Sequence, residues 1–150
     1  MNFIKASEEH TRLLYEWANE AETRKNAFHT EQIPYSTHVE WFSHKLADPN
    51  SIIYICKENE LEIGQLRLDI EEAKAVISYS IAKEHRGKGY GTELIGKAEE
   101  LIKGNPSMGK VKCLIGKVKY ENIGSQKCFE RNSFIKYDLP EYIEYRKKIR

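Results

Sequence analysis

The stretch "KEHRGKGYGTELI", Lys83–Ile95, sets three glycines at alternate positions, Gly87, Gly89 and Gly91, behind Arg86 and around Lys88. It follows a run with strand character, "AVISYSI". It precedes a helical run, starting near Gly89 or Tyr90, in which Leu94, Ile95, Ala98, Leu101 and Ile102 share one stripe. A strand-to-helix turn converges the unbonded amides of the helix's first turn on one spot, and glycine permits the dihedrals and the close approach that an anion needs. The stretch therefore reads as a local anion site, to which Arg86 and Lys88 add charge.

Spacing decides which anion. A P-loop requires GxxxxGK[ST], but Lys88 precedes the later glycines. A dinucleotide fingerprint requires GxGxxG, and here the third glycine comes one residue early. Both also call for parallel βαβ units around an early loop. What precedes this loop is an antiparallel meander instead: "SIIYIC", a turn at "KENE", "LEIGQLRLDI", and a second turn at Glu71 and Glu72.

Farther upstream, Phe3 and Ile4 begin a short strand, and Ser7 caps a helix with Leu13, Leu14, Trp17, Ala18 and Ala21 on its apolar stripe. "TRKNAFHTEQIPY" has no clear period. Ser36 then caps a helix that turns Val39, Phe42 and Leu46 inward and stops at Pro49. Downstream, "GNP" ends the glycine-loop helix, "VKCLIGKV" is a strand, and a short helix runs from about Asn122 to Arg131. Two further strands, "FIKYDL" and "YIEYRKK", flank Pro140.

A chain of 150 residues suits one domain, residues 1–150, with one core. Lysine plus arginine number 24 against 23 acidic residues, so a net charge of +1 gives no bulk attraction to nucleic acid or membrane. The three cysteines have no CxxC spacing and sit among apolar neighbours, as buried thiols do in a reducing compartment. No long apolar run exists, and "MNFIKASEEH" turns charged too early for a signal core. The expected protein is soluble and cytoplasmic, without a metal.

Arg86, Gly89 and Gly91 satisfy [RQ]xxGxG between a strand and a helix, and "KCLIGKVKYENIGSQKCFERNSF" resembles a strand followed by N..S/A...[YF]E..GF. On those motifs the chain resembles the GNAT superfamily of acyl-CoA N-acyltransferases. The resemblance implies an α/β (α+β) fold, with a mixed, mostly antiparallel sheet of about six to seven strands flanked by about four helices. It implies acetyl-CoA as co-substrate, its pyrophosphate on the amides of Arg86, Gly87, Lys88, Gly89, Tyr90, Gly91 and Thr92. The pantetheine arm would pair like an extra strand near Ser80 and Ile81 and touch Asn122 and Ser125.

Two positions depart from the family pattern. Phe129 stands where many relatives carry a tyrosine that protonates the departing thiolate, and Ser133 replaces a glycine before Phe134. Asn132 is expected to take the left-handed conformation in place of that glycine.

The reaction is attack by a neutral amine on a thioester, which needs positioning, a polarised carbonyl and loss of a proton. A free amide near Ile81 suits the carbonyl. Glu31, Asp69, Tyr79, His29 and His38 are all candidates for the base, and the residues do not choose among them.

On the acceptor side, Gln65, Arg67 and Asp69 share one strand face by the two-residue period. That face either lines a cleft beside Tyr79 or is solvated, with Arg67 paired to an acid. "ETRKNAFHTEQIPYSTHVEWF" with "IGQLRLDI" resembles GNAT enzymes of pseudaminic acid biosynthesis, which acetylate a UDP-linked amino sugar. That resemblance implies acceptor contacts at Arg24, Asn26, Phe28, His38, Trp41 and Arg67.

Similar segments occur in enzymes that acetylate ribosomal-protein N-termini, and Phe129 leaves room for a non-catalytic acyl-CoA-binding domain. The expected partner is a small-molecule amine acceptor, in the finer expectation a nucleotide sugar, with neither nucleic acid nor membrane. The chain itself is a monomer or a homodimer.

Overall fold

A computed structural model of the chain describes residues 1–149. Seven strands form one sheet: β1 (Asn2–Lys5), β2 (Ser51–Glu58), β3 (Leu61–Glu71), β4 (Lys74–Ile81), β5 (Cys113–Val118), β6 (Ile135–Asp138) and β7 (Ile143–Lys148). Their order is β1-β2-β3-β4-β5-β7-β6. Every neighbouring pair is antiparallel except β4 and β5. This is the mixed, mostly antiparallel sheet that the sequence leads one to expect.

The helices are α1 (Thr11–Ala18), α2 (Ala21–Asn26), α3 (Tyr35–Ala47), α4 (Tyr90–Gly96), α5 (Ala98–Lys103) and α6 (Ile123–Arg131). Four features differ from the sequence reading. The segment after Ser7 is first a 3-10 turn, Glu8–His10, and only then α1, with Ala21 outside it. Helix α2 lies largely within the stretch that showed no period. Six residues, "AETRKN", carry good helix formers but no apolar stripe, so periodicity cannot find them. In α3 the buried side chains are His38 and Phe42, whereas Val39 and Leu46 are exposed. The long helix after the glycine loop is broken at Lys97 into α4 and α5.

The two faces of the sheet are covered unequally. On one face, α4, α5 and α6 bury Leu94, Ile95, Ala98, Ile102 and Phe129 against Leu66, Leu68, Ile77, Leu114, Ile143 and Tyr145. Phe129 lies flat on Tyr145 (5.3 Å between ring centroids) and directly over Gly116, where a Cβ would stand 2.3 Å from its ring. Only glycine lets the ring reach the strand, and burying a phenylalanine this fully stabilises by roughly 1.5–3 kcal/mol. On the other face, a smaller cluster of Leu14, Phe42, Ile53 and Ile55 joins α1 and α3 to β2. Its buried members extend no farther across the sheet than β2, so this face of β4, β5 and β7 is left for other uses.

The parallel pairing of β4 with β5 stops early. It runs from Lys74 opposite Cys113 to Ile77 opposite Gly116, after which Ser78–Ile81 and Lys117–Val118 are unpaired with each other. The sheet opens there, and α4 crosses from the end of β4 beside the opening.

Candidate active site

The glycine loop sits at the mouth of this opening. Gly87 and Gly89 have φ of 75° and 83°, the left-handed region that other residues avoid, and a Cβ on either would meet nothing within 4 Å. They are glycine for conformation and approach, with open space in front of them. The amide of Arg86 bonds the Lys83 carbonyl, whereas the amides from Gly87 to Thr92 have no hydrogen-bond partner among the described residues. Six consecutive donors around a helix start form a cradle for an anion. The Thr92 hydroxyl is buried and also without a partner, a further donor in the same turn. These groups fit a pyrophosphate.

Arg86 behaves differently from the expectation that its charge faces the anion. Its guanidinium turns to Glu20, Glu22 and the Thr23 hydroxyl, and its Nε donates to the Ile81 carbonyl at 3.1 Å. Glu20 in turn caps α2 by accepting from the amides of Glu22 and Thr23, and the guanidinium holds its carboxyl down to about 2. Arg86 is therefore a strut between the glycine loop and α2. Lys88 is exposed and makes no ion pair among the described residues.

The edge of β4 presents backbone groups to the opening. The Ala82 amide bonds the Ile63 carbonyl at 2.8 Å, so by alternation Ser80 also pairs toward β3 while Ile81 and Tyr79 point their backbones toward β5. With the Ile81 carbonyl taken by Arg86, the amides of Tyr79 and Ile81 are the donors left on that edge. Ser80 contributes a hydroxyl on the other face, which accepts from Gln65 Nε2 at 3.2 Å.

Asn122 and Ser125 stand across the opening at the start of α6. Asn122 caps that helix by accepting from the Ser125 amide at 3.2 Å. The Ser125 hydroxyl accepts from Tyr79 at 2.8 Å, joining α6 to β4. Burial first, then the neighbouring Cys128 thiol, pushes the Tyr79 pKa well up, so its hydroxyl stays protonated.

Helix α2 roofs the far side of the opening. Its first turn is tied to the loop after β4 through Arg86, and the Lys25 carbonyl near its end accepts from Lys119, in the loop after β5, at 3.1 Å. A cavity of about 310 Å³ lies beneath, lined by Glu22, Lys25 and Asn26 of α2 and by Glu121, Asn122, Ile123 and Gly124. Asn26 and Asn122, expected on the acceptor and coenzyme sides respectively, thus meet in one cavity.

The remaining sequence candidates divide. Arg24 donates through Nε and Nη1 to the carbonyls of Ala18, His29 and Glu31, so it holds the chain around α2. Phe28 is exposed and rests edge-on against Tyr142 in the β6–β7 connection, 5.4 Å between centroids. Trp41 is partly exposed over the Arg67 guanidinium at 5.1 Å. Arg67 itself bonds Asp69 at 2.8 Å and the Ser78 hydroxyl at 3.2 Å.

His38 does not reach the opening: it is buried between α1 and α3, its Nε2 3.1 Å from the Thr11 carbonyl. Burial lowers its pKa against the opposing pull of that carbonyl, which keeps the ring neutral. Asp69, screened by Arg67, Lys45 and Ser51, is held below the usual carboxylate range despite its burial. Such a carboxylate is a weak base. Glu31 and His29 are exposed on the segment after α2.

Sequence reasoning missed Glu20 and Glu22, the partners of Arg86, because a pair 64 residues away leaves no local pattern. It also missed Lys117 and Arg146, which the register puts on the same sheet face as Arg67. Strand alternation within "KCLIGKV" shows that Lys117 shares a face with Ile115, but only the topology sets that face beside β4.

At Ser133 the structure corrects an expectation. Ser133 itself adopts the left-handed conformation, φ 66°, while Asn132 stays on the ordinary side and uses its Nδ2 to bond the carbonyls of Thr92 and Cys128. Its amide thereby ties α6 to α4.

The fold and this opening define an acyltransferase of the acyl-CoA-dependent type. Residues 1–135 match the acetyltransferase (GNAT) domain, and the chain belongs to that family. No curated protein matches it in sequence.

Among solved structures it is similar to the aminoglycoside acetyltransferase AAC(6')-Ib with ribostamycin and coenzyme A: 18% identity, TM-score 0.83, covering 98% of this chain and 92% of that one. It is also similar to a spermidine N-acetyltransferase from Vibrio cholerae in complex with coenzyme A and spermine: 17%, TM-score 0.81, 99% and 94% covered. A third is RimL, a ribosomal L7/L12 alpha-N-protein acetyltransferase in complex with coenzyme A: 16%, TM-score 0.80, 98% and 93% covered. At these identities the likeness establishes the fold. No helix among the described residues is long and apolar enough to cross a membrane.

Proposed function

We propose that the chain transfers the acetyl group of acetyl-CoA to a primary amine, and that the amine belongs to a UDP-linked amino sugar. The observation that carries the donor side is the run of unpartnered amides from Gly87 to Thr92, set beside a β4 edge whose Tyr79 and Ile81 amides face an unpaired gap. A pyrophosphate suits the first set of donors, and a pantetheine arm suits the edge at Tyr79. The thioester then lies near Ser125 and the cavity under α2, where an amine attacks it. The Ile81 amide is placed to polarise the carbonyl oxygen.

The acceptor assignment rests on charge. Arg67, Lys117 and Arg146 lie on the face of the sheet that α1 and α3 leave uncovered. Lys117 makes no ion pair among the described residues, and Trp41 offers an aromatic surface beside Arg67. Cations with an aromatic neighbour suit a nucleotide diphosphate.

A second reading, acetylation of a peptide N-terminus, is favoured by Glu22 and Glu121 in the cavity, which attract an ammonium. The test is release of free thiol from acetyl-CoA with each acceptor. Turnover with the UDP-amino sugar supports the first reading; release with peptide N-termini alone overturns it.

A further inference from the structure

The sheet ends on β6, which has β7 as its one neighbour and whose residues are all exposed. Sheets usually protect such an edge with a bulge, a proline or an uncompensated charge, and β6 carries none of these. Its lysine, Lys136, has Asp138 on the same face with the charged atoms 3.9 Å apart. On the opposite face Ile135 is 62% and Tyr137 39% exposed, apolar surface that nothing in the chain covers.

The ladder to β7 fixes which backbone groups of this edge remain free. The Leu139 amide donates to the Tyr142 carbonyl at 3.0 Å, and the register sets Tyr137 opposite Glu144 and Ile135 opposite Arg146. By antiparallel alternation Leu139, Tyr137 and Ile135 turn their amides and carbonyls to β7, whereas Lys136 and Asp138 turn theirs outward. Neither outward amide has a partner among the described residues. A strand added here must therefore pair with Lys136 and Asp138.

A second copy of β6 meets that requirement in one register. A two-fold axis through Lys136 sets lysine against lysine and calls on the Phe134 amide, which already donates to the Phe129 carbonyl. An axis through Asp138 sets acid against acid and calls on an amide at Pro140, which has none. An axis through Tyr137 sets Lys136 against the partner subunit's Asp138, and symmetry repeats the match. Each of those pairs exchanges N–H···O bonds in both directions, the opposed charges attract, and Tyr137 lies beside the partner subunit's Tyr137. The other free edge, β1, has no such match. There the Ala6 amide donates to the Ile53 carbonyl, so Phe3 and Lys5 turn outward and the lysine has no acid to meet.

We propose that the protein forms a two-fold dimer in solution through β6, paired antiparallel about Tyr137, so that one sheet runs through both copies. Each copy uses the same edge, so the pairing closes on itself and stops at two. A strand of 4 residues makes a small contact, and the dimer is accordingly weak and concentration-dependent. It extends the sheet face that carries Arg67 and Arg146, because the Arg146 guanidinium stands 4.1 Å from the Tyr137 ring centroid on that side.

The test is sedimentation velocity over protein concentrations from about 1 to about 200 μM, where the unsubstituted chain is expected to pass from monomer to dimer. K136E and D138K should each weaken the dimer at least about tenfold, since symmetry places every like-charge contact twice. Mixed in equal amounts, these two variants should pair with each other, each supplying the charge the other lacks. A chain carrying both substitutions should associate as the unsubstituted one does. K136P removes an outward amide without touching the ladder to β7, so it should abolish the dimer while circular dichroism and thermal unfolding change little. Should that variant misfold, the charge exchange decides alone.

A monomer at every concentration overturns the inference. So does a dimer that both charge variants leave intact, or a mixture of the two that fails to associate. Growth past the dimer with concentration overturns it as well, because it signals an open contact between unlike edges.

Discussion

On the glycine-loop side of the β4–β5 opening the groups that face a ligand are backbone amides without partners, whereas on and beside α2 the side chains of Glu20, Glu22, Thr23 and Arg24 are bonded to the protein. The amides from Gly87 to Thr92 are free, and two of their residues hold left-handed dihedrals with empty space in front. Across the opening, Arg24 donates to three carbonyls through Nε and Nη1, and Glu20 holds Arg86. A site made of main chain binds what its shape dictates whatever the side chains become. A site whose side chains brace one another can change its ligand only by rebuilding the brace.

The most severe way to break the loop side is a side chain at a left-handed glycine. Gly89→Val should reduce coenzyme A affinity at least tenfold in a calorimetric titration, because a β-branched residue avoids that dihedral and fills the approach. Its stability should fall by only about 1–2 kcal/mol, since a Cβ there meets no neighbour within 4 Å. Unchanged affinity would remove the pyrophosphate from this loop.

Arg24→Ala attacks the other side. Losing a charged donor to three carbonyls should cost about 1–3 kcal/mol in denaturant unfolding and raise the KM for the acceptor, with coenzyme A affinity within twofold. A selective loss of coenzyme affinity would erase the distinction between the two sides.

Glu20→Gln probes the strut that joins them. The Glu20 carboxyl is held at about 2 in the fold against an ordinary 4.5, so its contribution is complete above 4.5 and is lost as pH falls toward 2. Screened by solvent, that contribution is about 1 kcal/mol. The unsubstituted protein should therefore lose its stability advantage over the variant between those pH values, as read by thermal unfolding. The smallest effect belongs to Lys88→Ala: about two- to fivefold weaker coenzyme A binding, shrinking as salt is raised, as for any exposed charge.

The same contrast accounts for what the sequence revealed. "RGKGYG" is legible because amides and dihedrals depend on glycine spacing, which is written locally, and the meander and final strands are legible because their periods are local too. Helix α2 is not, since its six residues have no apolar stripe and are held by Arg86 and Lys119, far along the chain. His38 was expected at the acceptor by the resemblance of its segment, and local sequence does not reveal that its ring is buried against the Thr11 carbonyl. Ser133 shows the limit of substitution logic: the left-handed dihedral stayed at its position, and Asn132 beside it was kept for a different bond.

Arg86 carries one further consequence. A pyrophosphate settling on the loop brings negative charge to the neighbourhood of a guanidinium that Glu20 and Glu22 now hold. On the proposed reading the anion and the two carboxylates draw on one cation, so filling the loop alters the hold on α2, the roof of the proposed acceptor cavity. By thermodynamic reciprocity, whatever factor coenzyme A applies to acceptor affinity, the acceptor applies to coenzyme A. On the proposed reading, the two substrates are placed in communication before either touches the other.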